Sequence, residues 1–298
     1  MVLVGGDMKL QRVFATGLLL LISISAYSEE LLSPKVVYGR DDRIEVYQTS
    51  AAWKQLASST AALIRTSKLS PRPGPTYAIR TSNFGTDYNL CDSEPFREQN
   101  TAAFCSGFLI GPDMMATAGH CIKNESDCEN TNFVFGFALN AAGEQTPDKV
   151  PAEQVYKCRK IVKTMASSEN GVDFAVVLLD RAVTVATPLK MRASGTASVG
   201  DELTVIGHPV GLPTKLAANA FVRTINPGFL VASLDTYGGN SGSAVFNSKT
   251  GEVEGVLVRG ETDFKYAGSC RISNDCTQDG CRGEDVTRIE FVRAAIGQ

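Results

Sequence analysis

After Phe104, apolar residues gather in short runs separated by Gly, Pro and polar turn residues. This is the pattern of strands and tight connections. The runs predict strands over 106–110, 133–137, 174–179, 202–206, 244–246 and 253–258. Two stretches depart from it. From about Thr49, residues Trp53, Leu56, Ala57, Ala61 and Ile64 would share one face of a helix, and Val286, Ile289, Val292 and Ile296 form a helical stripe over 285–296. Ser70-Pro71-Arg72-Pro73-Gly74-Pro75 breaks regular structure between the first helix and the strands. Many short strands closed by a C-terminal helix predict an all-β barrel architecture.

The first residues carry a different pattern. Met8-Lys9-Leu10-Gln11-Arg12 is a short basic region, Val13 to Ile24 an apolar run, and Ala26-Tyr27-Ser28 a small-x-small cleavage site. Together they predict an export signal over 1–28. The run is too short for a membrane anchor. Glu29 to Lys35 then reads as a short propeptide whose final Lys marks a processing site before Val36. An N-terminal arm is expected over 36–80, its helix docked on the rest, and the barrel domain over 81–298. The expected location is secreted or periplasmic. The eight cysteines agree, because an even number in an exported chain reads as disulfides, and no C-x-x-C pair points to zinc.

Composition narrows the function. The chain has 298 residues, 43% of them hydrophobic, which is ample for one large domain or two small barrels. A net charge of -3 with scattered Lys and Arg argues against a nucleic-acid surface. His120 and His208 are the only histidines, so no metal site is expected, nor any other cofactor. The expected form is a monomer acting on protein or peptide substrates, without stable membrane association once the signal is removed.

Three segments carry chemistry: Thr117-Ala118-Gly119-His120-Cys121, Gly171-Val172-Asp173-Phe174-Ala175 and Gly238-Gly239-Asn240-Ser241-Gly242-Ser243. A serine hydroxyl is a poor nucleophile unless a base takes its proton as it attacks, and neutral histidine suits that role. A buried carboxylate on the other ring nitrogen fixes the tautomer and stabilises the imidazolium. Glycines around the serine allow a sharp turn and free N–H groups for a developing oxyanion; the expected donors are Gly239 and Ser241. Each segment alone is unremarkable. In the order His, Asp, Ser they make Ser241 a candidate nucleophile, His120 its base and Asp173 the orienting acid. The competing expectation is a binding or adhesion protein on the same scaffold with an inactive triad.

These motifs resemble the chymotrypsin-like superfamily of serine proteases. The resemblance implies two orthogonal six-stranded β-barrels with the triad between them, and a Cys105–Cys121 disulfide. Closing so short a loop stabilises by roughly 3 kcal/mol in the chain-entropy model. Gly239-Asn240-Ser241-Gly242-Ser243, with Val36-Val37-Tyr38-Gly39-Arg40-Asp41-Asp42-Arg43, is closest to the bacterial glutamyl-endopeptidase branch. Two departures stand out. Asn240 replaces the Asp that pairs with a freed N-terminal amine in digestive enzymes, and Val258 replaces the serine that buttresses the triad Asp, so Asp173 must find other hydrogen bonds.

The resemblance also sets expectations for specificity. The glutamate-reading histidine of that branch is Leu257 here. Asp235, six residues before Ser241, stands where trypsin-like enzymes hold the acid that reads Lys or Arg. The expected substrate-binding set is therefore Asp235, Leu257, Val258, Arg259 and Gly260, with a preference for Lys or Arg. In the competing reading of these residues, Asp235 is a turn residue facing away, and Arg259 neutralises it or favours an acidic side chain. His208, in a Gly/Pro-rich turn, is assigned no catalytic role.

Overall fold

The computed structural model describes residues 36–298 and the first two residues. The signal expected over 1–28, beyond those two residues, and the propeptide expected over 29–35 lie outside the described residues. Among the described residues, no helix is long and apolar enough to cross a membrane.

Two closed six-stranded barrels make up the architecture. The first contains β1 (Thr60–Arg65), β2 (Cys105–Gly111), β3 (Met114–Thr117), β4 (Thr131–Phe135), β5 (Val155–Ala166) and β6 (Asp173–Leu179). They pair in the order β4-β5-β6-β3-β2-β1, and β1 closes on β4. The second contains β7 (Glu202–Gly207), β8 (Lys215–Ile225), β9 (Phe229–Ala232), β10 (Ala244–Asn247), β11 (Val253–Arg259) and β12 (Glu284–Arg288). Their order is β7-β10-β11-β12-β9-β8, with β8 closing on β7.

Continuous apolar runs such as Phe174-Ala175-Val176-Val177-Leu178-Leu179 suit strands enclosed on both faces. The barrels are not separate cores. Ala244, Phe246, Val256 and Val258 of the second share one buried cluster with Phe108, Phe133 and Val176 of the first. Each phenylalanine removed fully from water there contributes roughly 1.5–3 kcal/mol. The cleft between the barrels is thereby held on a packed base.

The N-terminal expectations need two corrections. The helical stripe from Thr49 is really two elements: α1 spans Ala51–Ala57, capped by the Ser50 side chain, while Ala61 and Ile64 lie on β1. The barrels therefore begin at Thr60, inside the arm expected over 36–80. Trp53 of α1 packs edge-on against Phe246 at 5.7 Å, which docks the helix on the second barrel. Val37–Tyr38 is buried and pairs with Asp275–Cys276, and Arg43–Glu45 adds an edge strand to β8. At the other end, Val286 belongs to β12, and α2 spans only Ile289–Ala295.

All eight cysteines are paired: Cys105–Cys121, as the resemblance implied, with Cys91–Cys270, Cys128–Cys158 and Cys276–Cys281.

Candidate active site

His120 lies in a single turn directly after β3, and Asp173 is the first residue of β6, which pairs with β3. That adjacency brings them together. His120 Nδ1 lies 2.8 Å from Asp173 Oδ2. The other carboxylate oxygen accepts the Gly119 N–H at 2.6 Å and the His120 N–H at 3.1 Å. Burial pushes the Asp173 carboxyl up, but the hydrogen bond and charge of His120 and the two N–H groups outweigh it. The group is held below the ordinary carboxylate value and stays ionised. Those N–H groups answer the need left by Val258: Asp173 is braced by the backbone of the histidine turn. Its own N–H donates to Thr287 Oγ1 at 3.0 Å, tying it to β12 of the second barrel.

Ser241 arrives from the second barrel, on the loop before β10. Its carbonyl accepts the Ser106 N–H of β2 at 2.8 Å and touches Cys121 Sγ at 3.8 Å. That sulfur in turn lies within 4.8 Å of a His120 ring nitrogen. Ser241 Oγ lies 3.4 Å from the Val258 carbonyl. Ser241 thus lies beside the disulfide-bonded Cys121 that follows His120, and His120 in turn lies against Asp173.

The serine loop is held by its own carbonyls. Gly238 C=O accepts from Val210 N–H at 2.5 Å, and Asn240 C=O from Ser243 N–H at 2.9 Å. In a trans peptide the N–H points opposite the carbonyl, so the Gly239 and Ser241 N–H groups are directed away from these contacts. Gly239 has φ +84° and Gly242 φ +89°, the left-handed region open to glycine. A Cβ on Gly242 would also meet the Ser106 carbonyl at 2.1 Å.

The expected specificity residues separate. Asp235 accepts the Tyr38 N–H at 2.6 Å and the Asp42 N–H at 2.8 Å, so its carboxylate anchors the N-terminal segment and is no pocket base. Burial raises it to about 7 despite those two bonds. Leu257 is buried in the core of the second barrel. Val258 offers only its carbonyl. Arg259 turns toward Asp285 at 2.9 Å and donates to the Gly171 carbonyl at 2.7 Å, with its other nitrogen 4.0 Å from Asp173. Its ion pairs are with Asp285 and Asp173, not with Asp235. Gly260 faces the buried carboxylate of Glu284. That acid is not identifiable from motif spacing; Gly283-Glu284-Asp285 ahead of an apolar strand was the available signal.

His208 is fully buried, with Nδ1 3.0 Å from the Leu212 carbonyl and its ring 5.9 Å from that of Phe137. Burial pushes it from 6.5 to about 4, so it is a neutral structural residue.

The chain is similar in sequence and in fold to known proteins. The trypsin-like peptidase domain family matches residues 105–256. The chain is 25% identical over 194 residues to a glutamyl endopeptidase of Bacillus licheniformis, covering 61% of this chain and 60% of that protein. It is 28% identical over 188 residues to secreted RxLR effector protein 73 of Plasmopara viticola, covering 58% and 45%. An uncharacterised protein of Sinorhizobium fredii matches at 29% over 157 residues, covering 47% and 23%. The chain thus spans between about a quarter and three-fifths of the length of these relatives. Among solved structures, a Glu endopeptidase in complex with MPD matches at TM-score 0.51 and 18% identity, covering 88% of this chain and all of that one. Human heparin binding protein matches at TM-score 0.52 and 15% identity, covering 88% and 95%. These two show the same fold. The matched span contains His120, Asp173 and Ser241 alike, and the chain belongs to the trypsin-like peptidase family, within the chymotrypsin-like serine protease superfamily.

Proposed function

We propose that the protein is an exported serine endopeptidase that hydrolyses peptide bonds through an acyl-enzyme intermediate. The observation that supports this reading is the His120–Asp173 contact of 2.8 Å, with the Ser241 carbonyl 3.8 Å from the sulfur of neighbouring Cys121. With Asp173 ionised, Nδ1 keeps its proton and Nε2 is left as the base. His120 takes the proton of Ser241 Oγ as that oxygen attacks the scissile carbonyl, then delivers it to the leaving amine. Water repeats the sequence on the acyl-enzyme and regenerates Ser241. The N–H groups of Gly239 and Ser241 stabilise the oxyanion in both halves.

Export is supported by four disulfides, which form and persist in oxidising compartments. In this reading residues 1–28 are a signal and 29–35 a propeptide, with Lys35–Val36 the processing site. N-terminal sequencing of the mature protein tests that; a start at Glu29 with full activity refutes it. Protein or peptide substrates and a monomeric state complete the proposal.

A fluorophosphonate probe tests the chemistry. It is expected to modify Ser241, identified by peptide mass spectrometry, and Ser241→Ala should lower peptide turnover by roughly 10⁴- to 10⁶-fold. A folded protein that takes no label would instead be a binding protein on a peptidase scaffold.

A further inference from the structure

Gly238 and Gly239 have no Cβ to restrict their backbone, so the Gly239 N–H turns freely unless its neighbours hold it. Asn240 offers no charge for a freed amine to pair with, so other groups have to do the holding. Ser106 of β2, fully buried, is one of them. Its hydroxyl donates to the Gly239 carbonyl at 2.9 Å and accepts the His208 N–H, also at 2.9 Å. Its own N–H donates to the Ser241 carbonyl at 2.8 Å. One residue of the first barrel thereby grips the serine loop on both sides of the candidate nucleophile.

The turn over 208–212 is the second hold. Val210 has φ +47°, a left-handed conformation that a β-branched residue enters only at a cost. In that conformation its N–H reaches the Gly238 carbonyl at 2.5 Å. Burial of its side chain with Leu212 and Tyr237 offsets the strain. The turn is tied to the chain ahead of β2, where the Ala102 N–H donates to the Gly211 carbonyl at 2.9 Å. It lies so close to the serine loop that a Cβ on Gly239 would fall 2.8 Å from the His208 carbonyl. A trans peptide sets its N–H opposite its C=O. Val210 therefore orients the Gly239 N–H through the Gly238 carbonyl, and Ser106 orients the next peptide plane through the Gly239 carbonyl. Between two held planes, Gly239 stays at φ +84°.

We propose that Ser106 and Val210 are positioning residues of the oxyanion hole. The hydroxyl of one and the strained backbone of the other hold the Gly239 N–H in the direction the developing oxyanion requires. Both act through Gly239. A donor that must first rotate into place gives up part of the stabilisation it offers to the transition state, and a donor already held does not. This inference rests on the peptidase reading above.

The test compares p-nitrophenyl acetate with its thiono counterpart, in which sulfur replaces the carbonyl oxygen and accepts hydrogen bonds poorly. Rates are read above the Ser241→Ala background, and urea midpoints confirm that each variant is folded. The wild type is expected to favour the oxygen ester by roughly 100-fold or more in kcat/KM. Ser106→Ala should lower kcat/KM for the oxygen ester by roughly 10- to 100-fold and barely move the thiono ester. Ser106→Thr, which keeps the hydroxyl, should recover part of the loss. Val210→Ala removes the buried side chain that offsets the strain, so the turn should relax and the ratio narrow in the same way. Equal losses on both esters, or a ratio unchanged in both alanine variants, would overturn the assignment while leaving the peptidase reading intact. A wild type that hydrolyses neither ester above background would overturn the peptidase reading and this assignment with it.

Discussion

Arg259 and Gly242 both brace the backbone around Asp173 and Ser241. Arg259 sits between Asp173 and Asp285, its nitrogens 4.0 Å from one and 2.9 Å from the other. Arg259→Met removes the bond to the Gly171 carbonyl just ahead of Asp173. It should lower kcat by roughly tenfold with KM little changed, and Arg259→Lys should recover part of the loss. Steady-state kinetics on one peptide substrate would separate the two constants. Gly242→Ala places a methyl group 2.1 Å from the Ser106 carbonyl and 2.3 Å from Thr117 Oγ1, at φ +89°. The serine loop has to shift, and fluorophosphonate labelling should slow by at least roughly 100-fold. At this scale the candidate site was legible where its segments are local. Glycines beside a serine and a small-residue turn before a histidine announce themselves in a few consecutive letters. Asp235 was misread because spacing along the chain does not say which way a side chain turns. The N–H groups that capture it belong to residues 197 and 193 positions away.

Among the elements, strands bounded by turns and enclosed on both faces were read correctly, as with β6, β7, β10 and β11. The long strands β5 and β8 were missed. Lys157, Arg159, Lys160 and Lys163 line β5, and bulges between Cys158 and Lys160 and between Ile161 and Lys163 break its alternation. The stripe running through Ala61 and Ile64 misled differently, because a short apolar run fits a buried strand as well as a helix. Only Ala51–Ala57 is helical, and Ser58 Oγ closes it on the Gln55 carbonyl at 2.6 Å. α2 contributes through packing. Val292 is fully buried in the cluster shared by both barrels. Val292→Ala should cost about 1–2 kcal/mol in urea denaturation, with the labelling rate of Ser241 little changed.

At the level of the whole molecule, stability and cleft geometry share one core, so pH acts on both. The folded protein holds His208 at about 4, against an ordinary value of 6.5. The unfolded chain therefore binds that proton more tightly, and stability is lost as pH falls from the ordinary value through the folded one. Below both values the loss from this residue approaches about 3 kcal/mol. In His208→Asn the amide can still reach the Leu212 carbonyl. This variant should be less stable at neutral pH and lack this part of the acid dependence, read from urea midpoints across the range. The segment joining the barrels, 180–201, is largely exposed. Cys105–Cys121 and Cys128–Cys158 lie before it and Cys276–Cys281 after it, so Cys91–Cys270 is the disulfide among the described residues that reaches across. A surface connection of this kind is where a proteolytic nick falls first. Because of Cys91–Cys270, such a nick would not part the halves. A scarred molecule should run as one band on non-reducing electrophoresis and as two once reduced, with His120 and Ser241 on different pieces yet still facing one cleft. Wear to the chain is thereby uncoupled from separation of the two barrels.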